Sequence, residues 1–450
     1  MAENEILSRE AFLAELVKLC LVDEPDLARL LGEVPVTATG REVGLLLVRD
    51  KLLTRYQAAR ILAGKSAGLR LGQYVIFEEV GRGGMGKVFR AKHEAMGREV
   101  ALKVLHKRLA RDPQARSLFM KEVRAASQLQ HPNIMTAHDA WVLDAPYYLV
   151  FEYVSGPTLS SLVHLRGPLP VGLACEYARQ VALGLAHAHE RGLVHCDIKP
   201  GNLMLKPAEE PGEVGTVKIG DFGLARLNPG WQGTGDNQTG TMQVDATVII
   251  GIGTPDYMAP EQARSLHDAN AQSDIYSLGC TLYFMVTGQP PYPGGNTLEK
   301  IIRHGSEMVP DASLLRPEVS ADLAAILLCM MAKKPDERPA TTRQVAEMLL
   351  PHVVARSIGG IWPKDEPGQA VEAYPGVTPF PFAESTTGFR FPELNSGSIG
   401  VNHARVSQRK RSLWHSIRGL PLLLIIALVT IVLISAGLAI GVALLLVDGK

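Results

Sequence analysis

Net charge is absent from this 450-residue sequence: 46 Lys and Arg residues balance 46 Asp and Glu residues. A chain built to coat nucleic acid carries a basic excess, so no nucleic-acid partner is expected. Cysteine is sparse. Cys20, Cys175, Cys196, Cys280 and Cys329 are scattered and no two form a C-x-x-C pair. This excludes a disulfide framework or a zinc site and fits a reducing compartment. The first residues, Met1-Ala2-Glu3-Asn4-Glu5, are acidic and polar, so no secretory signal peptide is expected.

Charge is missing a second time, over the 26 residues of Leu422–Val447. As a helix that run would span about 39 Å, more than the roughly 30 Å hydrocarbon core of a bilayer. Buried core helices seldom exceed about 20 residues, so a single transmembrane helix is the expectation. Arg405, Arg409, Lys410, Arg411 and Arg418 crowd its N-terminal flank, and Asp448-Gly449-Lys450 follow it. Positive residues stay on the cytoplasmic side. The sequence therefore predicts a single-pass protein of the cell (inner) membrane, with its bulk in the cytoplasm, its C-terminus outside and no external sensor domain.

What is present is enough for a large core, apolar residues making up 46%. Residues 1–70 read as a small helical module. Phe12, Leu13, Leu16, Val17 and Cys20 recur at helical spacing after a cap at Ser8. Pro25 suits a first helical turn, Thr54-x-x-Gln57 has capping-box form, and Gly64 would close that helix. Nothing in this stretch carries chemistry, so it reads as a packing extension of the next domain rather than a docking module. Residues 74–352 begin with strand-like segments (Tyr74–Val80, Val100–Val104) and end with helical ones (Cys175–Glu190, Ser273–Thr287). Strands first and helices after predict an α+β arrangement in two lobes. Residues 355–418, rich in Pro, Gly, Ser and Thr, read as a disordered linker.

Gly81-Arg82-Gly83-Gly84-Met85-Gly86-Lys87-Val88 is a G-x-G-x-x-G-x-V loop. Glycines let a backbone approach phosphate oxygens and aim N–H groups at them. A dinucleotide-binding loop shares these glycines but opens a helix; here strand-like Lys87–Lys92 follows. Val100-Ala101-Leu102-Lys103 then ends a strand in a lysine, which at this distance from the loop reads as a partner of the α- and β-phosphates. Glu122, on a helix before the next strands, is the carboxylate placed to hold it.

His195-Cys196-Asp197-Ile198-Lys199-Pro200-Gly201-Asn202 is the strongest signal. Phosphoryl transfer needs positioning and charge neutralisation more than covalent chemistry. Asp197 can take the proton of a substrate hydroxyl, Lys199 can neutralise the phosphoryl group, and Asn202 can reach a Mg²⁺. Leu203 and Met204 begin an apolar strand suited to the floor of an adenine pocket. Asp221-Phe222-Gly223 follows the strand Val217–Ile219 and offers a second metal ligand in Asp221. Then come Gly253-Thr254-Pro255 through Ala259-Pro260-Glu261, Ser273-Asp274-Ile275, and Arg338 in Asp336-Glu337-Arg338-Pro339. Buried charges must be paired, and Glu261 with Arg338 is the expected pair. His187, His189, His195 and Cys196 do not read as a metal site, since His187 and His189 lie two apart on a helix and face different ways.

With these motifs in this order, residues 74–352 resemble the eukaryotic-type serine/threonine protein kinase family in its bacterial transmembrane form. The resemblance implies a bilobal kinase fold, ATP with Mg²⁺, and protein substrates with Ser or Thr acceptors, the chain itself among them. It leaves room for a homodimer. It implies Asp197 and Lys199 as catalytic, and Asn202 and Asp221 as metal ligands. Val80, Gly81, Gly83, Gly84, Gly86, Val88, Ala101, Lys103, Glu122, Glu152, Val154 and Met204 are implied to line the nucleotide. Phe151 is implied as gatekeeper and Glu152-Tyr153-Val154 as hinge. Lys199 and Gly253-Thr254-Pro255 resemble the serine/threonine branch. Two departures bear on activation. Cys196 stands where the family usually has Arg, and the stretch from Leu224 to Met258, 258 − 224 + 1 = 35 residues, is long. It offers Thr234, Thr239, Thr241, Thr247 and Thr254 as acceptors. The rival reading, a pseudokinase scaffold, would lack Lys103, Asp197 or Asp221, and all three are present.

Overall fold

Four helices open the described chain: α1 (Arg9–Leu19), α2 (Glu24–Glu33), α3 (Gly40–Arg49) and α4 (Arg55–Leu62). Their starts are fixed locally. Ser8 Oγ accepts from the Ala11 amide. Thr39 with Glu42, and Thr54 with Gln57, each close a reciprocal capping box. Pro25 sits in the first turn of α2. Gly64 follows the end of α4 at φ +63°, a left-handed conformation that glycine adopts without a Cβ penalty. Phe12, Leu16, Leu19, Leu30, Val43, Leu47 and Ile61 form the shared core. Val17 and Cys20, expected in the apolar stripe, are exposed. The helix stops at Leu19 and Cys20 turns left-handed at φ +47°, so the buried row is 12, 16 and 19.

The computed structural model describes residues 8–353 except 34, 84–85, 211–212, 223–225, 228–254 and 266–267. The expected linker at 355–418 and the apolar run Leu422–Val447 lie outside the described residues. So do Gly84, Thr234, Thr239, Thr241, Thr247 and Thr254.

An antiparallel six-stranded sheet follows, in the order β1-β2-β3-β4-β6-β5. Its strands are β1 (Arg70–Leu71), β2 (Tyr74–Arg82), β3 (Gly86–His93), β4 (Glu99–Leu105), β5 (Ala137–Trp141) and β6 (Tyr148–Glu152). Between β4 and β5 runs α5 (Pro113–Ser127), whose Phe119 and Ala126 pack on Leu105 and Leu149.

The remainder is mainly helical: α6 (Leu159–Arg166), α7 (Val171–His189), α8 (Pro260–Arg264), α9 (Ala271–Thr287), α10 (Thr297–Ser306), α11 (Ala312–Leu315), α12 (Ala321–Met330) and α13 (Thr342–Leu349). Short strands β7 (Leu193–Val194), β8 (Leu203–Lys206) and β9 (Thr216–Ile219) lie between α7 and α8, β8 and β9 pairing antiparallel. α7 begins four residues before the expected Cys175, because Pro170 supplies the turn that precedes it. Every residue of α9 from Ser273 to Val286 is buried. A helix apolar nearly all round belongs in a core, and this one carries Asp274 inside with it. The strands-then-helices order thus gives a sheet-rich lobe and a helical lobe, as expected.

Candidate active site

The glycine loop hangs from β2 and β3. Gly81 pairs with Val88 and Arg82 with Lys87, and the Gly83 amide donates to the Gly86 carbonyl at 2.8 Å. Glu79 accepts from Arg82 at 2.8 Å and from Lys87 at 2.7 Å, tying both stems together. Gly86 has a steric reason of its own: a Cβ there would lie 2.2 Å from the Val104 carbonyl oxygen of β4. Below the loop, Val80, Val88, Ala101, Met135, Val154 and Met204 form one buried apolar cluster flanked by Phe151 and Tyr153.

Lys103 lies deeper. Its ammonium donates to Glu122 Oε1 at 2.6 Å and to Asp221 Oδ1 at 2.5 Å. Three elements converge here, because α5 turns Glu122 inward and β9 leads into Asp221. Burial alone would push the Lys103 ammonium down. The Asp221 and Glu122 carboxylates outweigh it and hold the group above the usual lysine range. Burial raises the Asp221 carboxyl, but Lys103, joined by His195 and Lys199, holds it below its usual range. Glu122 is buried completely and is pushed upward by burial, which Lys103 offsets only in part. Asp221 is held at φ +57°, and Phe222 packs its ring 4.6 Å from that of His195.

The segment after β7 carries the remaining groups. Lys199 donates to Asp197 Oδ2 at 2.8 Å, and Asn202 Nδ2 donates to the same oxygen at 3.0 Å and to the Asp197 carbonyl at 2.8 Å. Asp274 anchors this loop from below. It accepts from the His195 and Cys196 amides, each at 2.8 Å, and its Oδ2 lies 2.8 Å from His189 Nε2. Burial raises the Asp274 carboxyl, but His189 and the amides hold it below its usual range. Gln262 Nε2 donates to the Cys196 carbonyl at 2.8 Å, and Cys196 itself is left-handed at φ +67°. These bonds hold that strained turn.

The cleft enclosing these groups has about 500 Å³ of open space, mouth included, walled by Val88, Ala101, Phe151 and Met204 with Lys103 and Asp221 at its floor. Its apolar walls with a few convergent polar groups suit a nucleotide. The Val154 amide, just past β6, donates to no backbone acceptor among the described residues, leaving it for an adenine. Asn202 is buried, yet its Oδ1 has no hydrogen-bond partner among the described residues. An orphaned amide oxygen near the Asp221 carboxylate is a hard oxygen donor set of the kind Mg²⁺ takes. The residues present therefore fit both groups.

The structure thus brings Val80, Val88, Ala101, Lys103, Glu122, Val154, Met204, Asn202 and Asp221 to one cleft, with Asp197 and Lys199 bonded to Asn202 at its side. Gly81, Gly83 and Gly86 lie above it. Glu152 occupies the hinge, where its side chain accepts from Lys218 at 2.8 Å and from the Thr136 amide at 2.8 Å. Arg338 and Glu261 form the expected buried pair, bidentate at 2.7 and 2.9 Å. Sequence reasoning missed Met135, which lines the pocket, and Lys218, which locks the hinge to β9. It noted Asp274 without a role. Only Asp274 left a usable signal, an acidic residue inside a long apolar helix.

A family profile described as protein kinase domain matches residues 74–352. The serine/threonine-protein kinase PknB of Mycobacterium tuberculosis is 36% identical over 277 residues, covering 61% of this chain and 42% of that protein. A probable serine/threonine-protein kinase of Streptomyces coelicolor is 37% identical over 272 residues, covering 59% of this chain and 38% of its own length. The chain spans less than half the length of these relatives. Among solved structures, the Mycobacterium tuberculosis PknI kinase domain (a C20A_R136A double mutant) matches at TM-score 0.48 and 26% identity, covering 63% of this chain and 97% of that one.

Proposed function

Because the chain belongs to the eukaryotic-type serine/threonine protein kinase family, we propose that it transfers the γ-phosphoryl group of ATP to Ser and Thr hydroxyls of proteins. The observation that carries this is the Lys103 ammonium bridging Glu122 and Asp221. A bare scaffold has no need of a buried three-charge junction, and buried charges are costly unless paired. Lys103 is placed for the inner phosphates. Asp197 is placed to receive the hydrogen bond of an acceptor hydroxyl, and finally its proton, as the hydroxyl oxygen bonds to phosphorus and ADP departs. Lys199 neutralises charge beside it. Asn202 and Asp221 are the residues that would hold Mg²⁺, which when bound offsets the charge of the phosphate oxygens.

Membrane anchoring and signalling belong to the same proposal. The uncharged run Leu422–Val447 and its basic N-terminal flank support the anchoring; no helix among the described residues is long and apolar enough to cross a membrane. The test of the chemistry is radiolabel transfer from ATP to a generic protein acceptor by the full-length chain. Asp197→Asn should lower the rate by about 10³-fold or more while leaving nucleotide affinity within a few-fold. A wild-type rate in that variant would reject the proposal.

A further inference from the structure

The capping box of α4 makes a second set of bonds that its helix does not need. Thr54 Oγ1 accepts from the Gln57 amide and also donates to the Phe77 carbonyl of β2. Gln57 Oε1 accepts from the Thr54 amide at 2.9 Å, while its Nε2 donates to the Ile76 carbonyl at 2.9 Å. Gln57 is buried, so both ends of its amide are committed. Tyr56, beside them, lies 6.3 Å from the Phe89 ring of β3. The two carbonyls sit at a β-bulge. Ile76 pairs with Ala91 and Glu78 with Arg90, leaving Phe77 as the extra residue; a second irregularity follows, Glu79 pairing with Phe89 and Gly81 with Val88 so that Val80 lies between them.

The Phe77 bulge sets the phase in which β2 reaches Val80. In a regular strand, residues four apart share a face. Ile76 packs with Phe89 and Leu102, whereas Val80 packs with Val88 and Ala101 in the nucleotide cluster. Phe89 and Val88 are neighbours on β3, as Leu102 and Ala101 are on β4, so the two clusters lie on opposite faces of the sheet. One extra residue at Phe77 switches the alternation before Glu79, which stands opposite Phe89, so that Val80, the extra residue of the second irregularity, falls on the pocket face. We infer that Thr54 and Gln57 are positioning residues of the nucleotide site, pinning the Phe77 bulge so that β2 enters the glycine loop with Val80 facing the nucleotide.

This inference rests on the kinase reading, and the experiment separates the two. Gln57→Glu and Thr54→Asp both keep an oxygen acceptor for the α4 cap but cannot donate to β2. Thr54→Ser keeps both bonds. In the full-length protein, the Kd for a non-hydrolysable ATP analogue is measured by calorimetry, with kcat and KM for ATP. Expected in Gln57→Glu and Thr54→Asp are a Kd and a KM raised about three- to tenfold with kcat within about twofold, and wild-type values in Thr54→Ser. Hydrogen exchange should accelerate at Glu78–Arg82 and stay unchanged in β8 and β9. Analogue affinity within about twofold of wild type in both variants, or exchange accelerated equally everywhere, would overturn the inference. Absence of analogue binding by the wild-type protein would instead reject the kinase reading.

Discussion

Lys103 shows at the scale of one residue how pairing decides the outcome. Removing it leaves Glu122 buried and facing Asp221 without a cation, and breaking a buried pair costs about 3–5 kcal/mol. Lys103→Met should therefore lower both activity and melting temperature. Adding Glu122→Gln should restore most of the stability and none of the activity; a double variant no more stable than the single one would contradict this account. His304 carries a second prediction. It is fully buried in α10, with Nδ1 2.9 Å from the Tyr276 hydroxyl. Burial, aided by Lys333, pushes its imidazole from 6.5 down to about 3. Between those values the unfolded chain binds the extra proton, so stability is full above about pH 6.5 and falls as pH drops toward 3. The slope from this group is at most about 1.4 kcal/mol per pH unit. In His304→Gln, denaturant midpoints between pH 6.5 and 5 should fall less steeply than in wild type. An unchanged slope would rule out His304 as the source.

At the scale of elements, the loop from His195 to Asn202 is held by Asp274 of α9 and Gln262 of α8. Cys196 stands where the family usually places an arginine that meets phosphate on the activation segment. A thiol has neither the fixed charge nor the bidentate fork for that task, and the loop is braced from beneath instead. Phosphatase-treated enzyme is expected to keep most of its initial rate. Changing Thr234, Thr239, Thr241 and Thr247 together to Ala should alter it only a few-fold. A hundredfold loss in either assay would show that another basic group has assumed the arginine's role. The glycine loop, the Asp197 loop and Asp221 were legible in the sequence because each is a contiguous run whose spacing states its chemistry. Met135 and Lys218 were not, because their places depend on how β9 lies against the Ile134–Met135 segment and the hinge. The apolar row of α1 was misjudged at Val17 and Cys20 because a helix end shifts the phase of a row, and Cys20 offered no glycine to mark it. The α4 capping box was legible as a cap. Its grip on β2 was not, since no local pattern says which carbonyls a distant strand leaves unpaired.

At the scale of the whole molecule, the basic flank before Leu422 predicts a cytoplasmic kinase portion. Protease added to intact cells should spare it, and cleavage there without lysis would reverse the assigned orientation. The N-terminal helices and the sheet are tied at more than α4: Arg70 donates to the Leu19 carbonyl at 2.8 Å and to Glu94 Oε1 at 3.0 Å, and β1 covers β2. This has a practical consequence for recombinant work. A fragment begun at residue 74, where the family profile starts, would strip β1 from β2 and leave a bare strand edge beside uncovered Tyr74 and Phe89. Such edges recruit other chains. With both fragments ended at residue 353, one begun at residue 74 should yield aggregates where one begun at residue 8 remains dispersed.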